Sequence, residues 1–188
     1  MLRTNQSFLV YVQELYEQQT RKENIILKRF LKGQKLFFQN KKATKVMLIA
    51  EGITKCYFTE ENDKEYIVEF LGKGEIIGEV ELICQIPCLC NVEAMTDVYV
   101  FAIAPDFFSA HIQTDIRLNH LLLKSFAERI VHTSSRASYQ QLYTTEHSLS
   151  KLLELQSKQE ISLSKEDMAA YLGVSVRNLN RALKSVSE

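Results

Sequence analysis

Residues 164–184, SKEDMAAYLGVSVRNLNRALK, space their apolar side chains as two short helices joined by a tight turn. Met168, Ala169 and Leu172 fall on one side of the first helix, and the small Ala169 lets a second helix come close. Gly173 interrupts the pattern where a left-handed residue would end that helix, and Ser175 is placed to cap the next one. Leu179, Ala182 and Leu183 make the inner side of the second helix. Val176, Arg177, Asn178, Asn180, Arg181 and Lys184 are left to face outward. Arg and Asn can form paired hydrogen bonds to base edges, and Lys can contact phosphate, so the stretch predicts a DNA-reading helix-turn-helix. A plain helical hairpin with a solvated polar face is the alternative on this motif alone.

Upstream, residues 6–19 carry Phe8, Leu9, Val12, Leu15 and Tyr16 at helical spacing, which predicts an amphipathic helix packed as a brace on the next segment of the chain. From residue 25 to 103 the texture changes to short apolar runs broken by turns, and five of the six glycines fall here, at Gly33, Gly52, Gly72, Gly74 and Gly78. Strands are expected at 25–30, 35–38, 45–50, 53–59, 65–70, 92–95 and 97–103, with Asn62 and Asp63 turning a hairpin. Regular turn spacing favours a barrel or jelly roll over an open sheet. Pro105 and Asp106 open a short helix with Phe107 and Phe108, and a longer one starts near Ile116.

In that long helix Ile116, Leu123, Ile130 and Ala137 recur every seven residues, with Phe126 and Ala127 beside them. Such a seam can pair with a second copy of the helix or pack on the chain's own barrel. Pairing is the better reading, because Leu121 and Leu122 already offer a separate face to the barrel. The pattern weakens at Thr144 and Thr145, which predicts a hinge, and Leu149, Leu152, Leu153 and Leu155 begin a further helix against the helix-turn-helix.

The chain has 188 residues, 46% of them hydrophobic, which is ample for a packed core. Basic and acidic residues number 23 each, so any nucleic-acid surface must be local. Residues 21–45 hold nine basic residues against the single acid Glu23, whereas 60–81 is mainly acidic; the basic run reads as an exposed strand face, with a partner contact as the alternative. No apolar run is long enough to span a bilayer and the start MLRTNQ is unlike a secretory signal, so the expected compartment is the cytoplasm, with no membrane partner.

An enzyme is not expected, and no catalytic residues or cofactor are assigned. His111, His120, His132 and His147 all follow the predicted barrel, which leaves no imidazole to build a metal centre inside it. No phosphate-gripping glycine loop and no nucleophile motif occurs, and Gly72-x-Gly74 is too short to be more than a turn. Cys56, Cys84, Cys88 and Cys90 could in principle hold iron-sulfur or zinc, or form a reversible disulfide. Their spacing is not a strong metal signature, and small thiols packed in a barrel are the simpler account.

The order of elements resembles the Crp/Fnr family of bacterial transcription regulators, over almost the whole chain. The residues that carry the likeness are YIVEFLGKGEIIGEVELI from Tyr66 to Ile83, VEAMTDVYVFAI from Val92, and the final YLGVSVRNLNRALK. The resemblance implies an α+β fold: a β jelly-roll or double-stranded barrel of cyclic-nucleotide-binding type, a long dimerisation helix and a C-terminal helix-turn-helix. It implies an effector-sensing domain at 1–115, a dimerisation helix and hinge at 116–143, and a DNA-binding domain at 144–188. It also implies a homodimer on a pseudo-palindromic DNA site, with half-sites about one helical turn apart, and RNA polymerase as a further partner.

On this resemblance Val176, Arg177 and Arg181 stand at base-reading positions, with Asn178 and Lys184 on the same helix. Leu123, Phe126, Ala127, Ile130 and Ala137 would form the dimer interface. Gly78 and Glu79, with Thr133 and Ser134 on the dimer helix, stand where the family's effector is touched. The loop that should supply an arginine and a hydroxyl to a cyclic phosphate has Cys88 and Leu89 instead. Neither can neutralise a phosphodiester, so cyclic AMP is not the expected effector. The competing function is a signal-binding or redox-sensing dimer that acts through protein contacts without DNA. Family members continue into a β-hairpin wing, so the 188-residue form, an incomplete winged helix, is expected to dimerise but to bind DNA poorly, whereas a version restored at the C-terminus is expected to bind specifically.

Overall fold

A computed structural model of the chain describes residues 2–159 and 161–187. The N-terminal part is built on two β-sheets. One holds five strands in the order β1 (Leu2–Arg3), β6 (Glu65–Leu71), β5 (Thr54–Thr59), β8 (Asn91–Ala94) and β3 (Lys35–Phe37). The other holds four, in the order β2 (Ile25–Phe30), β9 (Val98–Ile103), β4 (Val46–Glu51) and β7 (Ile76–Ile77). Among the described residues no ladder joins the two, so the jelly-roll-like unit is a sandwich rather than a closed barrel. Its edges are β1, two residues long, and the short β3 on one sheet, with β2 and the two-residue β7 on the other.

The central strands bury both faces, which is why their apolar runs are continuous rather than alternating. In β4, Met47 and Ile49 point between the sheets, while Val46 and Leu48 point outward under helices. In β9, Val98, Val100 and Ala102 fill the interior, and Phe101 and Ile103 face the helices. Phe30, Leu36, Phe37, Leu71, Ile77 and Cys88 complete the filling between the sheets.

Helix α1 (Gln6–Gln18) is the expected brace: Phe8, Leu9 and Val12 pack on the outer face of the four-stranded sheet, and Asn5 Oδ1 caps it by accepting from the Phe8 N–H at 3.0 Å. The short α2 (Glu79–Cys84), which the strand and turn pattern does not predict, starts after Gly78, whose φ of 87° suits glycine. A Cβ there would also meet the Phe37 ring at 2.8 Å. Helix α3 (Pro105–Thr114) starts on Pro105 as expected.

Helix α4 (Ile116–Leu142) has 27 residues and is about 40 Å long. Asp115 caps it, accepting from the N–H groups of Arg117 and Leu118 and from Tyr11 Oη at 2.8 Å. The helical break falls at residues 143–144, one residue before the Thr144–Thr145 pair where the pattern weakens, and α5 (Thr145–Gln159) starts four residues before Leu149 because Thr144 Oγ1 accepts from the His147 N–H. Helices α6 (Lys165–Leu172) and α7 (Val176–Ser187) complete the chain's element order.

The helix-turn-helix is not a free appendage. Met168, Ala169, Leu179 and Ala182 share one buried cluster with Leu149 and Leu152 of α5 and with Tyr57, Ile67 and Phe70 on the outer face of the five-stranded sheet. Both sheets are thus covered on their outsides, one by α1, α3 and α4 and the other by α5–α7. No described helix is long and apolar enough to cross a membrane.

Candidate nucleic-acid interface and effector region

Ser164 caps α6: its Oγ accepts from the Asp167 N–H at 3.0 Å and donates to Asp167 Oδ2 at 2.9 Å. The helix ends on Gly173, whose φ of 70° is left-handed, and the Val174 N–H closes back on the Ala169 carbonyl at 3.0 Å. Ser175 then does what its position predicts, its Oγ accepting from the Asn178 N–H at 3.2 Å. Leu179 and Ala182 are buried against α5 and the sheet, and Leu183 packs beside them.

This fixes the outer face of α7. Val176, Arg177, Asn178, Arg181 and Lys184 are all exposed, and the helix holds two arginines, one lysine and no acid. Arg177, Arg181 and Lys184 lie four and three residues apart, so the cations form one exposed stripe that no other described residue covers. Asn180, also expected to face outward, is half-buried.

Polar ties reinforce the seat of this unit. Lys55 of β5 meets Asp167 of α6 at 2.8 Å and Glu93 at 3.7 Å. Burial would lower the Lys55 ammonium pKa, but the hydrogen bond and charge of Asp167 outweigh it and hold the group above its ordinary value. Arg136 of α4 donates to the carbonyls of Val68, Ile67 and Tyr171, which ties the long helix to β6 and to the end of α6. Its guanidinium lies 3.9 Å from the Tyr171 ring centroid and 4.9 Å from that of Tyr66.

The effector region departs from a ligand cradle. Glu79 is 1% exposed and paired with Arg129. Arg129 also reaches Glu75 at 3.8 Å and Glu69 at 4.0 Å, and Arg3 lies 3.2 Å from each of those two carboxylates. Burial pushes the Glu79 and Glu75 carboxyls above the usual range; Arg129 opposes the shift at Glu79, and Arg3 and Arg129 oppose it at Glu75. Glu79 therefore spends its charge inside the chain. Thr133 and Ser134 are exposed on α4. Cys88 is buried between the sheets and its thiol pKa is pushed up by burial, while Leu89 is exposed, so neither position offers a cation to a phosphate.

The four cysteines do not converge. Cys56 and Cys90 form a disulfide across β5 and the loop before β8, and of the two free thiols Cys84 is exposed on α2 and Cys88 is buried. Among the described residues no group of three or more His, Cys, Asp or Glu side chains could hold a metal ion.

On α4 the expected seam is uncovered: Ile116, Leu123 and Ile130 are 73%, 64% and 67% exposed, and Ala127 and Ala137 are exposed beside them. Phe126 is different. It packs partly against the α1–α4 cluster beneath, because α4 turns that side toward the four-stranded sheet.

Sequence reasoning missed the ionic groups Arg3, Lys55, Arg129, Arg136 and Asp167. The available signal was Arg129 and Arg136, seven residues apart on one side of a helix whose neighbouring stripe is apolar.

Residues 27–115 match the family model of the cyclic nucleotide-binding domain. No curated protein matches the chain in sequence. Among solved structures, the c-di-GMP-responsive global regulator CLP of Xanthomonas campestris superposes with a TM-score of 0.80 at 18% identity, over 88% of this chain and 87% of that one. FixK2 from Bradyrhizobium japonicum gives 0.71 at 18% identity, over 87% and 84%. A transcriptional regulator of the CRP/FNR family from Thermus thermophilus gives 0.74 at 14% identity, over 86% of each chain. The chain therefore has the fold of these regulators.

Proposed function

We propose that this chain is a dimeric, sequence-specific DNA-binding transcription regulator of Crp/Fnr type whose effector domain does not take up cyclic AMP. The observation that carries the reading is α7: an outward stripe of Arg177, Arg181 and Lys184 with Asn178, on a helix without acids, in a fold shared with known regulators. In this reading residues 1–115 sense, 116–143 pair two copies through Leu123, Ala127, Ile130 and Ala137, and 144–188 read DNA. A DNA partner puts the protein in the cytoplasm. The fold's regulators generally do no catalysis, and the same is proposed here.

The case against cyclic AMP is electrostatic. A cyclic phosphate needs a cation, and the loop position that would carry it holds the buried Cys88. The carboxylate expected to meet a ribose, Glu79, is already engaged by Arg129. The exposed Thr133 and Ser134 remain as candidate contacts from the dimer helix.

The test is selection of bound duplexes from a random pool, and then mobility-shift titration against excess competitor. A two-fold symmetric site with half-sites about one helical turn apart is expected. Arg181→Ala should then weaken that site by about 1–3 kcal/mol and relax one position of it. Equal, weak binding to every sequence overturns the reading. The Cys56–Cys90 disulfide favours a second reading, a thiol sensor working through protein contacts, and its signature is selection that fails while partner binding changes with reduction.

A further inference from the structure

A cavity of about 310 Å³ lies where α4, β6, α5 and α6 meet, at the small end of the range for ligand pockets, about 300–1,000 Å³. Its walls include Leu152 and Leu155 of α5 and Leu172 of α6. Arg136, His132 and His147 also line it. It lies outside the sandwich, away from Gly78 and Glu79, and of the expected effector contacts only Thr133 lies among its described lining residues.

Its charges do not balance. Arg136 makes three hydrogen bonds, all to backbone carbonyls, and among the described residues no carboxylate lies within ion-pair distance of it. A guanidinium has five N–H donors, so two remain beyond those three bonds. Glu69, the one carboxylate among the described residues that line the cavity, is taken up by Arg3 at 3.2 Å. A largely buried cation without a counter-charge is costly, and burial accordingly lowers the Arg136 pKa.

We propose that this cavity binds an organic anion with a small apolar body, a carboxylate or phosphate ester whose head pairs with Arg136 and whose body lies against Leu152, Leu155 and Leu172. The walls come from both halves of the chain, β6 and α4 on one side and α5 and α6 on the other, so occupancy strengthens the docking of the helix-turn-helix on the sheet. Control of DNA binding by such an anion would act through that docking and rests on the function proposed above. The binding itself does not.

The test titrates the full chain with anilinonaphthalene sulfonate, a fluorescent apolar anion. One saturable site per chain is expected. Octanoate and octyl phosphate should compete at least about tenfold more strongly than octanol, and their ranking tells carboxylate from phosphate as the preferred head. Ser135→Trp, at an exposed wall position, should fill the cavity and weaken the probe about tenfold or more. Arg136→Met should do the same. Should Arg136→Met loosen the fold, the Ser135→Trp result decides by itself. Leu27→Glu, on the edge strand β2 and outside the cavity walls, should leave the probe's affinity unchanged. Equal competition by octanol, undiminished binding in Ser135→Trp, or loss of the probe in Leu27→Glu would each overturn the proposal. These readouts use no DNA, so failure here and failure of specific DNA binding are seen separately.

Discussion

Arg129→Met tests the ion cluster below α2 most directly. Five charged groups meet there: Arg3 and Arg129 against Glu69, Glu75 and Glu79, a formal charge of minus one. Glu75 and Glu79 keep 2% and 1% of their side-chain exposure, so water cannot replace a lost cation. Removing one partner from a buried pair costs about 3–5 kcal/mol, because the remaining charge stays buried. Methionine keeps the apolar stem and its packing, so at neutral pH a loss of about 3 kcal/mol is expected.

The loss depends on pH, and its sign is set by the carboxyls. Glu75 and Glu79 are raised by burial, with Arg129 opposing the shift at both, so without Arg129 both rise further. A carboxyl whose folded value lies above its unfolded value favours the folded state fully below the unfolded pKa, about 4.3 for Glu. That contribution is lost as pH rises through the folded values. Arg129→Met should therefore be damaged more at about pH 8 than at about pH 5. The chain has no tryptophan, so urea unfolding is monitored by far-ultraviolet circular dichroism, at one fixed protein concentration because a dimer's stability depends on it. Adding Glu79→Gln should return about 1–2 kcal/mol. The same loss at both pH values, with no recovery in the double variant, would refute the reasoning.

The geometry sets three further outcomes. Gly173→Ala should cost about 1–2 kcal/mol in thermal unfolding, because the backbone is left-handed there while the nearest atom to a new Cβ is 3.7 Å away, so the strain is in the backbone and not in a clash. Leu123→Glu combined with Ile130→Glu should give a monomer by sedimentation equilibrium with unchanged circular dichroism, since both side chains are more than half exposed within one copy. Lys55→Met should loosen the seat of α6 by about 1 kcal/mol, seen as faster proteolysis near residues 143–144 while β-sheet amides keep their protection from exchange.

The elements legible in the sequence are those where local chemistry decides. The strands at β2 and β4–β6 fall within a residue of their predicted ends, and Ser164, Gly173 and Ser175 sit at the helix termini their side chains favour. The features that escape the sequence depend on partners distant along the chain. The strand β1 exists because Leu2 and Arg3 pair with Phe70 and Leu71, and nothing in a two-residue segment predicts that. Glu79 reads as a ligand contact in sequence because its partner Arg129 lies fifty residues on. Cys56 and Cys90, 34 residues apart, read as loose core thiols for the same reason. Phe126 groups with the seam in sequence because heptad spacing marks neighbours on a helix but not which of two apolar faces a boundary residue joins.

The faces of α4 explain how one helix serves three purposes. Leu118 and Leu122 anchor it on the four-stranded sheet, and Leu123 and Ile130 stay open. Arg129 and Arg136, two turns apart, hold it to the other sheet through Glu69 and the carbonyls of Ile67 and Val68, and Arg129 also pairs with Glu79 of α2. The second of these arginines also grips the Tyr171 carbonyl at the end of α6, one residue from the C-terminal boundary of that helix. A displacement of α4 along β6 cannot leave both grips intact, because Arg136 bonds to fixed main-chain oxygens rather than to a mobile side chain. The helix that carries the open seam is therefore coupled to the seat of α6 through hydrogen bonds of defined geometry. Any event that moves α4, whether pairing of two copies or filling of the cavity beside Arg136, acts on the placement of α7 through these bonds. The double variant Arg129→Met with Arg136→Met should uncouple them: the seam should still pair two copies, while the protection of α6 amides from exchange falls to that of a separate helical unit.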